Sequence, residues 1–200
     1  MLTKTQLAIM MIFVSKITEK FSIKQIAEKT GKPYPLIHRS IKTLIENKLL
    51  ERDAHNLLSL NYKENHYILS YIEGLKMRCF LDGNKTISLF VKDALEGIKL
   101  DYFTMLLFGS YAKGHGEKGS DVDILVILED ENKIEAVEKF MDMISSKFSL
   151  KFDCNVISAE SVFEMLAKRD QANVMNESLD NHVLLFGAEN YYRLLKNARC

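Results

Sequence analysis

The sequence is poor in the residues that bridge, punctuate or anchor a chain. Its three cysteines, Cys79, Cys154 and Cys200, lie far apart and form no CxxC pair. That excludes a disulfide framework and the paired thiolates of a zinc site, and suits a reducing cytoplasm. There are only two prolines, Pro33 and Pro35. No Gly/Ser/Pro-rich segment offers a flexible tether between two halves. No apolar run approaches the ~20 residues that a membrane span requires. Leu7–Val14 looks like the core of a signal peptide, but Lys16, Glu19 and Lys20 follow it, and no small-residue cleavage site does. Nor is there an excess of either charge, with 27 Lys and Arg against 27 Asp and Glu.

What remains is the composition of a globular protein, 47% hydrophobic and 27% charged over 200 residues, enough for one mid-sized domain or two small ones. The zero total conceals an asymmetry. Residues 1–62 carry ten Lys and Arg against five acids, so the remainder is acidic by the same margin. A basic first third on an acidic body suggests two jobs.

Helical periodicity runs from Thr3 to Lys16, with Leu7, Met10, Met11 and Val14 on one face. Ser22 is placed to cap a second helix, Ile23 to Lys29, and Gly31 supplies a turn. A third helix is expected from Pro33 to Asn47, its apolar face Ile37, Ile41, Leu44 and Ile45, with both prolines in the first turn where a missing N–H costs little. Residues 49–52 and 57–60, around the polar turn Asp53–Asn56, read as a β-hairpin. Helix, helix, turn, helix, hairpin is the order of a winged helix-turn-helix. The stretches Ser22–Gly31 and Leu36–Leu50 resemble the winged helices of bacterial and archaeal transcription regulators, over about 60 residues. Such a domain binds DNA by placing its third helix in the major groove. That helix would offer Tyr34, His38, Arg39 and Lys42, while Lys32, Arg52 and His55 would reach phosphates, which give affinity with little sequence information. The same residues also read as a solvated face, and winged helices also serve as protein-interaction modules. A dimer matching two half-sites is expected of a DNA binder.

Residues 63–98 read as a helical connector. Tyr67, Tyr71, Leu75 and Cys79 recur at four-residue spacing, and these tyrosines and Met77 are expected in the core, with a dimer interface as the other option. Asp82-Gly83-Asn84 breaks the pattern, and Asn84 is placed to cap a further helix to about Glu96.

The residues that carry chemistry fall in the last domain, 99–200. Tyr102–Phe108 is a short apolar run ending in Gly109-Ser110, and reads as a buried strand. Ten residues later Asp121-Val-Asp123 opens a second apolar run, Ile124–Leu128. Two acids two apart on a strand share a face. They are hard oxygen ligands suited to Mg²⁺ shared with substrate phosphates. Gly109 allows close backbone approach, and Ser110, opening the next turn, offers a hydroxyl and free N–H groups to a triphosphate. A helix is expected over Asn132–Lys147 and an alternating strand over Leu150–Ile157, with Asp153 in its middle. A mid-strand carboxylate needs a partner, either a metal or a lysine. Asp142 and Glu160 are the alternatives if Asp153 points away.

The strand, Gly-Ser, ten residues and Asp-x-Asp resemble the nucleotidyltransferase superfamily related to DNA polymerase β, in its minimal branch. Phe108, Ala112, Gly114 and Ser120 also agree, whereas Tyr111 and Lys113 stand where family members often carry Arg. His182–Glu189 resembles the family's closing segment, packed on the sheet. The resemblance implies an α+β fold, a mixed β-sheet flanked by helices, behind the winged helix-turn-helix. It implies transfer of a nucleoside monophosphate from an NTP, expected to be ATP, to a hydroxyl. Asp121, Asp123 and Asp153 would hold two Mg²⁺ ions, Asp153 would favour deprotonation of the acceptor, and Gly109 and Ser110 would hold phosphates. Some minimal members adenylylate a partner protein and act as antitoxins, so a partner protein is a possible acceptor. The competing reading is a DNA-binding regulator whose transferase domain senses nucleotide or is idle.

Overall fold

The computed structural model describes residues 2–116, 119–168 and 173–198; Cys200, counted above, lies outside them. The chain begins with three helices, α1 (Lys4–Ser15), α2 (Ile23–Thr30) and α3 (Tyr34–Glu46), and a hairpin of β1 (Leu50–Arg52) and β2 (Leu58–Leu60). Two capping boxes start the first two helices. Thr3 and Gln6 exchange backbone and side-chain hydrogen bonds at α1, and Ser22 and Gln25 do so at α2. Gly31 ends α2 in the left-handed region at φ 63°. The hairpin turn is held by Asp53, whose carboxylate accepts from the N–H groups of His55 and Leu57 and pairs with Lys20. These contacts hold its pKa below the usual carboxylate range, the Lys20 hydrogen bond foremost.

Two helices follow, α4 (His66–Gly83) and α5 (Lys85–Gly97). Here the structure corrects two expectations. The tyrosine stripe of α4 faces solvent: Tyr67 and Tyr71 are 69% and 55% exposed, and Cys79 is exposed too. The buried face is Leu69, Ile72 and Glu73. Four-residue spacing marks a face without saying which way it turns, and here the face with a carboxylate turns inward. Asn84 makes no side-chain cap for α5; its Nδ2 donates back to the Phe80 carbonyl and closes the end of α4.

The C-terminal part is built on four strands: β3 (Phe103–Phe108), β4 (Val122–Leu128), β5 (Phe152–Ser158) and β6 (Val183–Phe186). They lie in the order β5-β4-β3-β6, with β4 and β5 parallel and β3 antiparallel to both its neighbours. A single helical turn, α6 (Gly109–Ala112), follows β3; α7 (Ile134–Ser145) crosses from β4 to β5. Then come α8 (Ala159–Ala167), α9 (Val174–Leu179) and α10 (Ala188–Ala198). The result is a mixed sheet with helices, an α+β architecture.

Both faces of the sheet are covered, which is why β3 and β4 read as continuous apolar runs. Met105, Leu107, Ile124 and Val126 pack with α5 and α7. Leu106, Phe108, Leu125 and Ile127 belong to a second cluster that includes α8, α9 and α10 and continues through Leu69 and Ile72 into α1, α3 and the hairpin. Helices α1, α2 and α3 and the hairpin all contribute buried residues to this core.

A buried polar network reinforces the junction. Glu73 of α4 pairs with Lys76 at 3.0 Å, accepts from the Tyr192 hydroxyl at 2.9 Å, and lies 3.2 Å from His182 Nε2. Burial raises the Glu73 pKa, but Lys76 and His182 outweigh it and the carboxyl ends below its usual range. Burial foremost, with Lys76 nearby, lowers the His182 pKa. Lys76 also donates to the Val14 carbonyl at 3.4 Å, carrying the network to the end of α1.

Candidate active site

Side-chain alternation decides what meets what on the sheet. On β4, Ile124 and Val126 point to the α5/α7 side, so Asp123 joins Leu125 and Ile127 on the other. On β5, Phe152 and Val156 point to the α5/α7 side, and Asp153 is turned away from them. Asp123 and Asp153 are partners in the parallel register, so the two carboxylates stand side by side on one face. Asp121 lies just before β4, half-buried. Asp142 is on α7, which covers the opposite face, and Glu160 is exposed in the first turn of α8. Of the three candidates, Asp153 is the one beside Asp123.

Asp153 does not lie enclosed as a mid-strand carboxylate was expected to. β5 is the sheet's edge, and Asp153 is exposed rather than enclosed. It needs no buried partner, and the neighbouring lysine goes elsewhere: Lys151 is hydrogen-bonded and ion-paired to Asp121. That hydrogen bond, with the charge behind it, raises the Lys151 pKa.

Gly109 begins α6 at φ 70°, where an L side chain is strained. A Cβ there would also lie 2.0 Å from Asp123 Oδ2. The position thus excludes side chains twice, by backbone conformation and by the carboxylate packed against it. Ser110 is the second residue of α6, and its carbonyl accepts from His115 N–H at 3.0 Å. A single turn has little macrodipole, so its anion-binding capacity rests on the N–H groups that no helical turn can pair at its start. His115 is exposed on the loop.

Lys113 and a residue that sequence reasoning passed over, Glu177, complete the surroundings. Lys113, which closes α6, pairs with Glu177 of α9 at 3.3 Å. Glu177 is also among the charges that act on Asp123. The Asp123 pKa is raised, first by burial and then by Asp153, Glu177 and Asp121. A concentration of hard oxygen donors whose charges oppose one another favours a cation. Among the described residues no three carboxylates, thiols or imidazoles form a closed ligand set as they lie. Asp121, paired with Lys151, would have to release it before serving a cation. Cys154 turns to the opposite face, against the α5/α7 cluster, where burial foremost pushes its thiol up to about 11.

The residues proposed for DNA stand apart from this site. Tyr34, His38, Arg39 and Lys42 are exposed on α3 and Arg52 on β1, while Lys32 is half-buried. His38, Lys42 and Arg52 line one groove with Ile45 and Glu46, and Tyr34 stacks on His38. Among the described residues no helix is long and apolar enough to cross a membrane.

Comparisons with known proteins fall on the carboxylate site. Residues 99–178 match the family model described as polymerase beta, nucleotidyltransferase. Over 69 residues the chain is 36% identical to a proposed protein adenylyltransferase of Methanocaldococcus jannaschii. That stretch is 34% of this chain and spans 62% of the relative's length. The segment that carries Gly109, Ser110, Asp121, Asp123 and Asp153 is therefore similar to a polymerase beta-type nucleotidyltransferase domain, and both matches support a nucleotidyltransferase.

Proposed function

We propose that the chain is a divalent-metal-dependent nucleotidyltransferase that moves AMP from ATP to a hydroxyl of a partner protein. The observation that carries this is that Asp123 and Asp153 stand side by side on one face of the sheet, next to the Gly109–Ser110 turn and with Asp121 just before β4, within the matched segment. The protein acceptor rests on the relative named for protein adenylylation.

Asp121, Asp123 and Asp153 would hold Mg²⁺, which when bound stabilises charge on the attacking and leaving oxygens. The chain's own residues do the rest. The turn at Gly109 and Ser110 binds the outer phosphates through N–H groups and a hydroxyl. Asp153, exposed at the sheet edge, faces an incoming acceptor and takes the proton of its hydroxyl. The hydroxyl oxygen bonds to the α-phosphorus as the bond from that phosphorus to the α–β bridging oxygen breaks. Pyrophosphate leaves with that electron pair. Positioning and charge placement supply most of the rate.

The first 62 residues complete the proposal as a winged helix-turn-helix that binds DNA. The order of three helices and a hairpin supports it, as do the exposed Tyr34, His38, Arg39, Lys42 and Arg52. Lys32, half-buried, would reach phosphates only from its tip. One observation favours a second reading, a DNA-binding regulator whose nucleotide site senses rather than transfers: Asp121 is engaged by Lys151 instead of standing open.

The test is label transfer and pyrophosphate release from α-labelled ATP with Mg²⁺ and the product of the neighbouring reading frame. The wild type is compared with Asp121→Ala/Asp123→Ala. Release by the wild type and loss in the variant supports transfer. Metal-dependent ATP binding without release supports the sensing reading. No metal-dependent ATP binding sinks both.

A further inference from the structure

Glu177 has no role in the chemistry above, yet the fold takes trouble to place it. It sits on α9, six residues long, too short to hold itself as an isolated helix. Asn173 caps the start, its side chain accepting from Asn176 N–H at 2.8 Å and donating to the Met165 carbonyl at 3.1 Å. Met175, Ser178 and Leu179 are buried beneath. The far end is stitched to the loop after α1. Ile17 N–H donates to the Leu179 carbonyl, Asn181 N–H donates to the Ser15 carbonyl, and Asp180 accepts from Thr18. Held this way, Glu177 pairs with Lys113 at 3.3 Å.

A lone carboxylate there would oppose a triphosphate. Paired with Lys113, it is neutralised, and it fixes a long, flexible ammonium at the end of the phosphate-binding turn. Lys113 without this partner would be drawn to Asp123 and its neighbours, where the cation belongs. We infer that Glu177 is a positioning residue of the nucleotide site: it holds Lys113 beside the Gly109–Ser110 turn, ready for the outer phosphates, and off the metal-binding carboxylates. This rests on the nucleotidyltransferase reading above. It makes α9, anchored on the first unit of the chain, a part of the nucleotide site.

The experiment uses the full-length chain with Mg²⁺. A fluorescent ATP analogue reports binding, pyrophosphate release gives KM and kcat, and thermal melting reports folding. The pair is partly exposed, so Glu177→Gln should weaken nucleotide binding by about three- to five-fold and raise KM alike, with kcat and melting nearly unchanged. Glu177→Asp should recover part of the loss. Lys113→Ala should weaken binding at least as much, and the double variant no more than Lys113→Ala alone. Unchanged or tighter binding by Glu177→Gln, a loss confined to kcat, or additive losses in the double variant would overturn the inference while leaving the transferase reading intact. A wild type that binds no nucleotide would instead overturn that reading, and this one with it.

Discussion

Gly109 and Asp123 are packed so closely that a single methyl on the glycine would lie 2.0 Å from the Asp123 carboxylate. The contact ties the end of β3 to the start of β4, where the register pairs Phe108 with Asp123. The turn thus leaves room for the Asp123 carboxylate only while residue 109 has no side chain.

Gly109→Ala should therefore do two kinds of harm. The backbone at φ 70° and the clash together should cost about 1–3 kcal/mol of stability, read by chemical denaturation. The residual folded protein should also bind ATP poorly, because relief of the clash moves Asp123 or the turn. Full stability with full ATP binding would show that the contact is slack.

Asp123 is expected to be a stability liability as well as a functional group. Its pKa is raised in the folded state by burial and by Asp153, Glu177 and Asp121, so the metal-free protein gains stability from this residue as pH falls and loses it as the carboxyl ionises. Asp123→Asn should melt at or above the wild-type temperature in the absence of metal, yet lose about 10²-fold or more in pyrophosphate release. A variant that melts lower would contradict the crowding of charge described here.

The buried network under α4 sets an acid limit. His182 has a folded pKa below its ordinary 6.5, so the unfolded chain takes up a proton first and stability falls as pH drops below about that value. Glu73, whose pKa is lowered, adds a second loss as pH falls below its ordinary 4.5. Urea denaturation between pH 8 and 2 should show both, and His182→Gln should remove the upper one. Glu73→Ala should be costlier, about 3–5 kcal/mol, because it strands Lys76 among apolar neighbours.

For the DNA reading, a gel shift with the DNA upstream of the coding sequence should weaken on Arg39→Ala/Lys42→Ala. If each contacts one phosphate, the slope of log affinity against log salt should fall by about one per residue. Binding unaffected by both changes would move the interface off α3.

What the sequence shows and hides follows from which signals are local. Ser22 and Gln25 announce α2 because a capping box lies within four residues. β3 and β4 announce themselves because both faces of each are buried. Gly109, Ser110, Asp121 and Asp123 are legible through their spacing along two adjacent strands. Glu177 is not, since 54 positions separate it from Asp123 and only the placement of α9 joins them. Lys151 lay closer to view: it precedes Asp153 by two, where alternation puts both on one face. Tyr67 and Tyr71 misled because periodicity finds a stripe and leaves its direction to the buried partner, here Glu73, His182 and Tyr192.

One measurement bears most directly on the carboxylate site as a place of nucleotidyl transfer. Pyrophosphate release from ATP and Mg²⁺, with the neighbouring gene product as acceptor, is compared between the wild type and Asp121→Ala/Asp123→Ala. The expected result is metal-dependent release, with label transferred to the acceptor, by the wild type and loss of both in the variant, with the melting temperature preserved. Equal release by the two proteins, or a wild type with no metal-dependent affinity for ATP, would contradict it.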